Sequence, residues 1–279
     1  MHDRQGVGFI DIFKLYGFKQ FSWDKTMGRV KIVKDGAITT VTLNRPEKRN
    51  AMDTEMLDAL YDFFSEKPKN DDRVIVVRGE GPSFCAGIDL VERQLKPSTG
   101  NESPVERVFH SIEINPLPVV AAVQGSAIAG GCELALHCDL VIAGETAKFG
   151  MSLAQIGLAP TWFLSKKLLE LAGPVATKEI LLLGNPMPAR WMYDRGIVSR
   201  VVPDDFLEEE TNKIVGQLSA NAPMSLKAMK ALIIRQLTFR DNIPNDDIDT
   251  MVSAARSSND AKEGIKAKLE KRKPVFRGN

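Results

Sequence analysis

Two short stretches of this chain carry residue types suited to chemistry at an acyl carbonyl. One is Ser83-Phe84-Cys85-Ala86-Gly87-Ile88-Asp89-Leu90; the other is Gln124-Gly125-Ser126-Ala127-Ile128-Ala129-Gly130-Gly131-Cys132-Glu133-Leu134. Each follows an apolar run that reads as a buried strand, and the second opens a helix. Glycine lets backbone approach a ligand closely, and a helix N-terminus offers unpaired N–H groups at the positive end of its dipole. Two such donors converging on one carbonyl oxygen form an oxyanion hole, where loss of a single donor costs about 3 to 4 kcal/mol of transition-state stabilisation. Glu133, in the first helical turn, is placed to act as acid or base beside that carbonyl. Its neighbours Gly131, Cys132, Leu134, Ala135 and Leu136 are small or apolar, and a carboxylate among them is costly unless paired or functional. By spacing alone, the same glycines also fit tight packing with no ligand.

Competing chemistries lack parts. Gly79-Glu80-Gly81 follows a strand, but Phe84 stands where a dinucleotide fingerprint needs its third glycine. Gly125 to Gly130 has phosphate-loop spacing, but Gly131 and Cys132 replace the required Lys and Ser/Thr. A nucleophile elbow is missing around Ser126. Cys85, Cys132 and Cys138, with three histidines, show no zinc-ligand spacing. The cysteines read as small buried residues, and their odd number suggests reduced thiols in a cytoplasmic setting.

The elements that must hold these stretches follow from periodicity. Val30, Ile32, Val41 and Leu43 alternate around Asp35-Gly36, the pattern of a hairpin with a type I′ turn. Asp53 is a candidate N-cap for a helix burying Met56, Leu57, Leu60, Phe63 and Phe64. Apolar strands are expected at 73–78, 118–123 and 139–143, with helices at 106–114 and 131–137 between or after them. From about Asp205 onward the pattern is helical only, over 206–218, 224–237, 248–255 and 261–272. The organisation expected is an N-terminal extension (1–28), rich in Phe9, Phe13, Phe18, Phe21 and Trp23 and packed on the body or a neighbour; a layered α/β core (29–204); and a helical C-terminal region (205–279).

Composition is that of a folded protein of ordinary character: 279 residues, 43% hydrophobic, 26% charged, with 37 Lys plus Arg against 36 Asp plus Glu. The near-zero net charge gives no sign of a nucleic-acid partner. No apolar run approaches the length of a membrane span, and the start lacks a signal-peptide core.

At these residues the sequence resembles the crotonase (enoyl-CoA hydratase/isomerase) superfamily. The likeness runs from about residue 28 to 279 through Thr42 to Met52 (TLNRPEKRNAM), Ser83 to Leu90 (SFCAGIDL), Pro118 to Ala143, Ala147 to Gly150 (AKFG) and Glu270 to Phe276 (EKRKPVF). The resemblance implies an α/β fold, a crotonase-like spiral of β-β-α units with a helical C-terminal region that builds homotrimers, often paired into hexamers. It implies an acyl-CoA thioester substrate, with coenzyme A as part of that substrate and no metal or other cofactor. It places the oxyanion-hole amides on Ile88 and Gly130 and the acid/base on Glu133. It puts Lys48, Arg49 and Ala51 near the CoA adenine and phosphates. Ala86, Gly87, Asp89, Gly131, Leu153, Thr161 and Trp162 fall along the substrate site, and Lys273 and Phe276 on a tail that touches CoA. Asp139 matches a structural acid.

One departure bears on the reaction. Hydratases of the superfamily carry a second glutamate after the Phe-Gly motif; here that position is Leu153, and the acid some isomerases place after a later proline is missing at Thr161-Trp162. Water addition asks for a base on the water and an acid for the α carbon. The expectation is a hydratase-type lyase in which the single Glu133 does both, with Ser152, Gln155 or Thr161 orienting water. The alternatives are a double-bond isomerase, a decarboxylase or C–C hydrolase, and a non-catalytic acyl-CoA binder. Trp162 and Phe163 are expected to crowd the acyl pocket.

Overall fold

Apolar runs that contain Val and Ile and are flanked by Gly or Pro become the strands, as their pleated, two-sided burial requires. The computed structural model describes residues 23–69, 71–95, 103–238 and 243–278. In chain order the strands are β1 (Trp23–Met27), β2 (Val30–Asp35), β3 (Ile38–Leu43), β4 (Val74–Gly79), β5 (Val119–Val123), β6 (Ser126–Ile128), β7 (Leu140–Gly144), β8 (Lys148–Gly150), β9 (Met187–Pro188) and β10 (Arg200–Val202). The helices are α1 (Thr54–Ser65), α2 (Leu90–Leu95), α3 (Pro104–Glu113), α4 (Gly130–Leu136), α5 (Trp162–Lys178), α6 (Ala189–Asp194), α7 (Leu207–Ala220), α8 (Pro223–Leu237), α9 (Asp246–Ser257) and α10 (Asn259–Leu269).

A seven-stranded sheet has the order β1-β2-β3-β4-β5-β7-β10, antiparallel up to β3 and parallel from β3 onward. A smaller sheet, β6-β8-β9, carries the site. Single-residue parallel bridges Met52–Ile88 and Cys85–Ala127 link earlier parts of the chain in the same manner. Each turn of the chain thus adds a strand to the large sheet, a short extended segment outside it, and then a helix. This is the β-β-α spiral expected, and the helical C-terminal region is present as expected.

Alternation sorts the parallel strands between two cores. On β4, Ile75 and Val77 face the main core, with Phe84, Phe109, Leu134 and Phe149. Val74 and Val76 face the other way, with Val120, Ile142 and Val215 of α7. Both faces are covered, so the strand reads as an unbroken apolar run.

One expectation needs correction. The β2–β3 hairpin pairs Asp35 with Ile38, so its loop is Gly36-Ala37, and only Gly36 has positive φ (57°). A type I′ turn needs positive φ at both loop residues, so Asp35 stays in the strand. The last residues of the expected N-terminal extension, Trp23–Met27, form β1, paired with β2 at the sheet edge. The aromatic residues of 1–22 lie outside the described residues. Among the described residues, no helix is long and apolar enough to cross a membrane.

Candidate active site

The site is framed by a turn that fixes its first bridge. Asn50 has φ 54° and is fully buried. Its side-chain oxygen accepts from the Arg45 amide (2.8 Å), and its Nδ2 donates to the carbonyls of Glu80, Ser83 and Phe84. Arg45 reaches the Ala51 carbonyl (3.0 Å) and the Asp89 carboxylate (2.8 Å). Asp53 caps α1 through the Met56 amide, as expected. These bonds lock the 46–50 turn to the 79–84 loop and bring Met52 beside Ile88. The Met52 amide donates to Gly87 O (2.7 Å), and the Asp89 amide donates to Met52 O (2.9 Å). In a parallel bridge this leaves the N–H of Ile88 itself pointing away from Met52.

The second amide is turned out by strain. Ala129 donates to Gly150 O (2.6 Å), prolonging the β6–β8 ladder. It then adopts φ 48°, ψ −119° as the N-cap of α4, which rotates the next peptide, carrying Gly130 N–H, out of the ladder. Among the described residues, neither the Ile88 nor the Gly130 amide has a hydrogen-bond acceptor. The two loops touch: a Cβ on Gly87 would lie 3.2 Å from Gly130 N, and one on Gly130 would lie 3.4 Å from Ile88 Cδ1. A non-glycine residue held in such a region stores about 1 to 3 kcal/mol. Ala129→Gly is therefore expected to raise stability by about 1 kcal/mol, after glycine's extra unfolded-state entropy is subtracted. Urea unfolding checks this; a loss of stability would show that the Ala129 backbone is unstrained.

Glu133 sits one turn further, its side chain half-buried. No described residue hydrogen-bonds or ion-pairs with its carboxylate. Burial pushes its pKa up to about 8 from an ordinary 4.5; the Glu106 charge adds to the rise, and Arg256 opposes it. Because the folded pKa is the higher one, this group's contribution to stability is complete below pH 4.5 and is lost as pH rises through about 8. Glu133→Gln is expected to gain stability relative to wild type across that window. Denaturation midpoints at pH 5 and pH 9 check it: an equal difference at both would refute the burial effect.

Behind Glu133, His137 is buried, with its ring between Phe109 (5.3 Å) and Phe163 (4.8 Å). Its Nδ1 is 2.8 Å from the Glu133 carbonyl oxygen. Burial, then Lys167, lower its pKa to about 4, so the ring is neutral and Nδ1–H donates. His137 supports the backbone of Glu133, a role the sequence reading left unassigned. Phe163 is taken up by this stack and by His110. Thr161 caps α5 through the Leu164 amide, and Trp162 follows it half-buried.

The other expected site residues fall into groups. Gly87, Gly131 and Ala86 lie at the loop junction, the first two buried. Asp89 is occupied structurally: burial opposes its ionisation, but Arg45 and the amides of Val91 and Glu92 hold its pKa below the ordinary value. Leu153 packs with Leu90, Ile156 and Leu158, an apolar wall in place of an acid. Gln155 is exposed, and its Nε2 donates to Leu183 O and Asn185 Oδ1. Lys48 and Arg49 are exposed at the 46–50 turn. Lys273 and Phe276 are exposed on a tail whose Val275 and Arg277 amides are tied to Glu263 and Asp260 of α10. Asp139 is structural as expected, accepting from the Val119 amide and Lys230 Nζ. Burial raises the thiols of Cys85 and Cys132 to about 12, so neither is a nucleophile. Among the described residues, no His, Cys, Asp and Glu group could hold a metal ion.

The family model for enoyl-CoA hydratase/isomerase matches residues 34–279. The chain belongs to that family. Its members include the short-chain-enoyl-CoA hydratase of Clostridium acetobutylicum, 30% identical to this hydratase/isomerase-family chain over 260 residues, covering 88% of this chain and 97% of that protein. A solved structure of methylmalonyl-CoA decarboxylase superposes with a TM-score of 0.84 at 26% identity, covering 91% of this chain and 100% of that one. An enoyl-CoA hydratase from Mycobacterium avium subsp. paratuberculosis gives a TM-score of 0.79 at 26% identity, covering 90% and 100%. The hydratase/isomerase family acts on acyl-CoA, and this chain is an enzyme of it.

Proposed function

We propose that this protein is an enoyl-CoA hydratase-type lyase that works through a thioester enolate. The observation that carries the reading is the unpartnered, half-buried Glu133, one helical turn from the Gly130 amide and close to that of Ile88. The two amides receive the thioester oxygen and hold its charge as the enolate forms. Glu133, with a pKa near 8, is close to neutrality and so both yields and accepts a proton at the α carbon readily. Lys48 and Arg49, exposed on the turn before Met52, meet the CoA phosphates. Exposed Met224, Met229, Leu232 and Ile233 on α8 form an apolar face that a homotrimer would cover, and three free cysteines suit a reducing, cytoplasmic setting.

Decarboxylation is the second reading, favoured by Leu153. An apolar wall holds no attacking water, and loss of CO2 needs only the oxyanion hole and one proton for the carbanion. The likeness to methylmalonyl-CoA decarboxylase supports it.

Incubation with linear, branched, cyclic and carboxylated acyl-CoAs in deuterated water, with products read by mass, separates these readings. Gain of one D2O is expected for an enoyl-CoA. Loss of CO2 without water addition would replace the hydratase reading by the decarboxylase one. Isotope exchange with a moved double bond would replace it by an isomerase.

A further inference from the structure

Two arginines meet at the edge of the Leu153 wall with no acid between them. The wall adjoins both oxyanion loops: Leu90 stands two residues past Ile88, and Leu153 three past Gly150, whose carbonyl takes the Ala129 amide (2.6 Å). Leu90 and Leu153 pack on a small core of Ile156, Leu158 and Ala261. Arg256, in the last turn of α9, is fastened where that core ends, its Nε donating to Ala159 O (3.1 Å). Arg93 lies one turn beyond Leu90 on the same face of α2. The core that receives Leu90 runs directly into Ala159, so both side chains, each half-buried, are brought to one edge of it. The electrostatics agree: burial, then the Arg256 charge, lower the Arg93 pKa.

The neighbouring acids are committed elsewhere. Asp89 takes Arg45 and the amides of Val91 and Glu92, and Glu92 takes the amide and hydroxyl of Thr54. On α10, Asp260 takes the amides of Arg277 and Gly278, and Glu263 takes Arg272. Among the described residues, neither Arg93 nor Arg256 pairs with a carboxylate. Two like charges drawn partly out of water repel, and the arrangement is costly until an anion answers it. A guanidinium fork matches a carboxylate through two parallel hydrogen bonds.

We propose that Arg93 and Arg256 form a carboxylate-binding subsite at the acyl end of the site, so that the preferred substrates are acyl-CoAs whose acyl group ends in a second, free carboxylate. The proposal rests on the thioester lying between the Ile88 and Gly130 amides, and it holds for hydration and decarboxylation alike. The acyl chain runs along Leu90 and Leu153, and its terminal carboxylate receives the two forks. Lys48 and Arg49, on a separate exposed turn, are left for the CoA phosphates. An acyl chain ending in a methyl group leaves the paired charges unanswered and binds less tightly, as at any site built for a polar group that the ligand lacks.

The test is calorimetry on the full chain with saturated esters, which have no double bond to hydrate: glutaryl-CoA against valeryl-CoA, and adipyl-CoA against hexanoyl-CoA. Within each pair the acyl carbon count is equal and a terminal carboxylate replaces a methyl group. Wild type is expected to bind at least one dicarboxylic ester about 10-fold or more tightly than its partner. In Arg93→Met and in Arg256→Met that ratio is expected to fall to about one, and Arg93→Lys is expected to keep part of it. The Arg93 side chain makes no hydrogen bond among the described residues, so its variants spare the bond that seats Arg256 on Ala159. Equal affinities within both pairs in wild type would overturn the proposal. A wild-type ratio kept in both Met variants would do the same, and an equal loss of affinity for all four esters would assign the arginines to the CoA phosphates. Binding of none of the esters by wild type would remove the thioester placement beneath the proposal, and the proposal with it.

Discussion

Glu133→Gln is expected to lower kcat by about 10²- to 10⁴-fold, the range for loss of a positioned general acid or base, while acyl-CoA still binds. Glutamine keeps the shape of the side chain and can still donate a hydrogen bond, but it transfers no proton at neutral pH. The two amides are untouched, as are Lys48 and Arg49, proposed above to meet CoA, so a dissociation constant measured by calorimetry should move little. The effect should therefore fall on kcat, with KM nearly constant, as for an interaction made only in the transition state. A variant with near wild-type kcat would remove Glu133 from the mechanism under either reading.

Gly131→Ala is expected to damage both folding and turnover. A Cβ on Gly131 would meet the Cys85 carbonyl oxygen at 2.2 Å and the Cys85 carbonyl carbon at 2.8 Å. Cys85 is no flexible side-chain end; its backbone is held in the bridge to Ala127 by hydrogen bonds to Ser126 and Ile128. The loop must shift, and with it Ile88, three residues on. Overpacking of this kind costs about 1 to 3 kcal/mol or more, and a donor misplaced by about 1 Å costs on the order of 10²-fold in rate. Gly216→Ala on the solvent face of α7, where an added Cβ meets nothing within 4 Å, is the control and should gain about 0.5 to 1 kcal/mol of stability from helix propensity. Similar stability and rate for both variants would show that the two site loops are not held at contact distance.

What could be read without coordinates divides along physical lines. β4 and β5 are unbroken apolar runs ending in Gly or in Gln-Gly, and Asp53 is an unambiguous cap, so these elements and the helices they feed were legible. Gly130 and Glu133 were legible because a small-residue loop opening a helix is a local pattern. The smaller sheet was not: β6 and β8 have three residues each and β9 two, too short for any periodicity, and the Met52 and Cys85 bridges are one-residue contacts set by tertiary register. The left-handed Asn50 and the strained Ala129 were equally silent, since both conformations are imposed by partners distant in sequence. Leu153 was the reverse case: its departure from the hydratase pattern was visible in one letter, while the wall it joins with Leu90, Ile156 and Leu158 required the fold.

Asn50 carries one more implication. Its side chain bridges the exposed 46–50 turn to the carbonyls of Glu80, Ser83 and Phe84, and Ala86 N–H donates to Arg49 O. Neither segment can open to solvent without breaking bonds held by the other. Their amides should therefore exchange with heavy water as one cooperative unit, at a common opening free energy. A ligand that clamps only the outer turn should slow exchange at Cys85 and Ala86, well beyond its own reach.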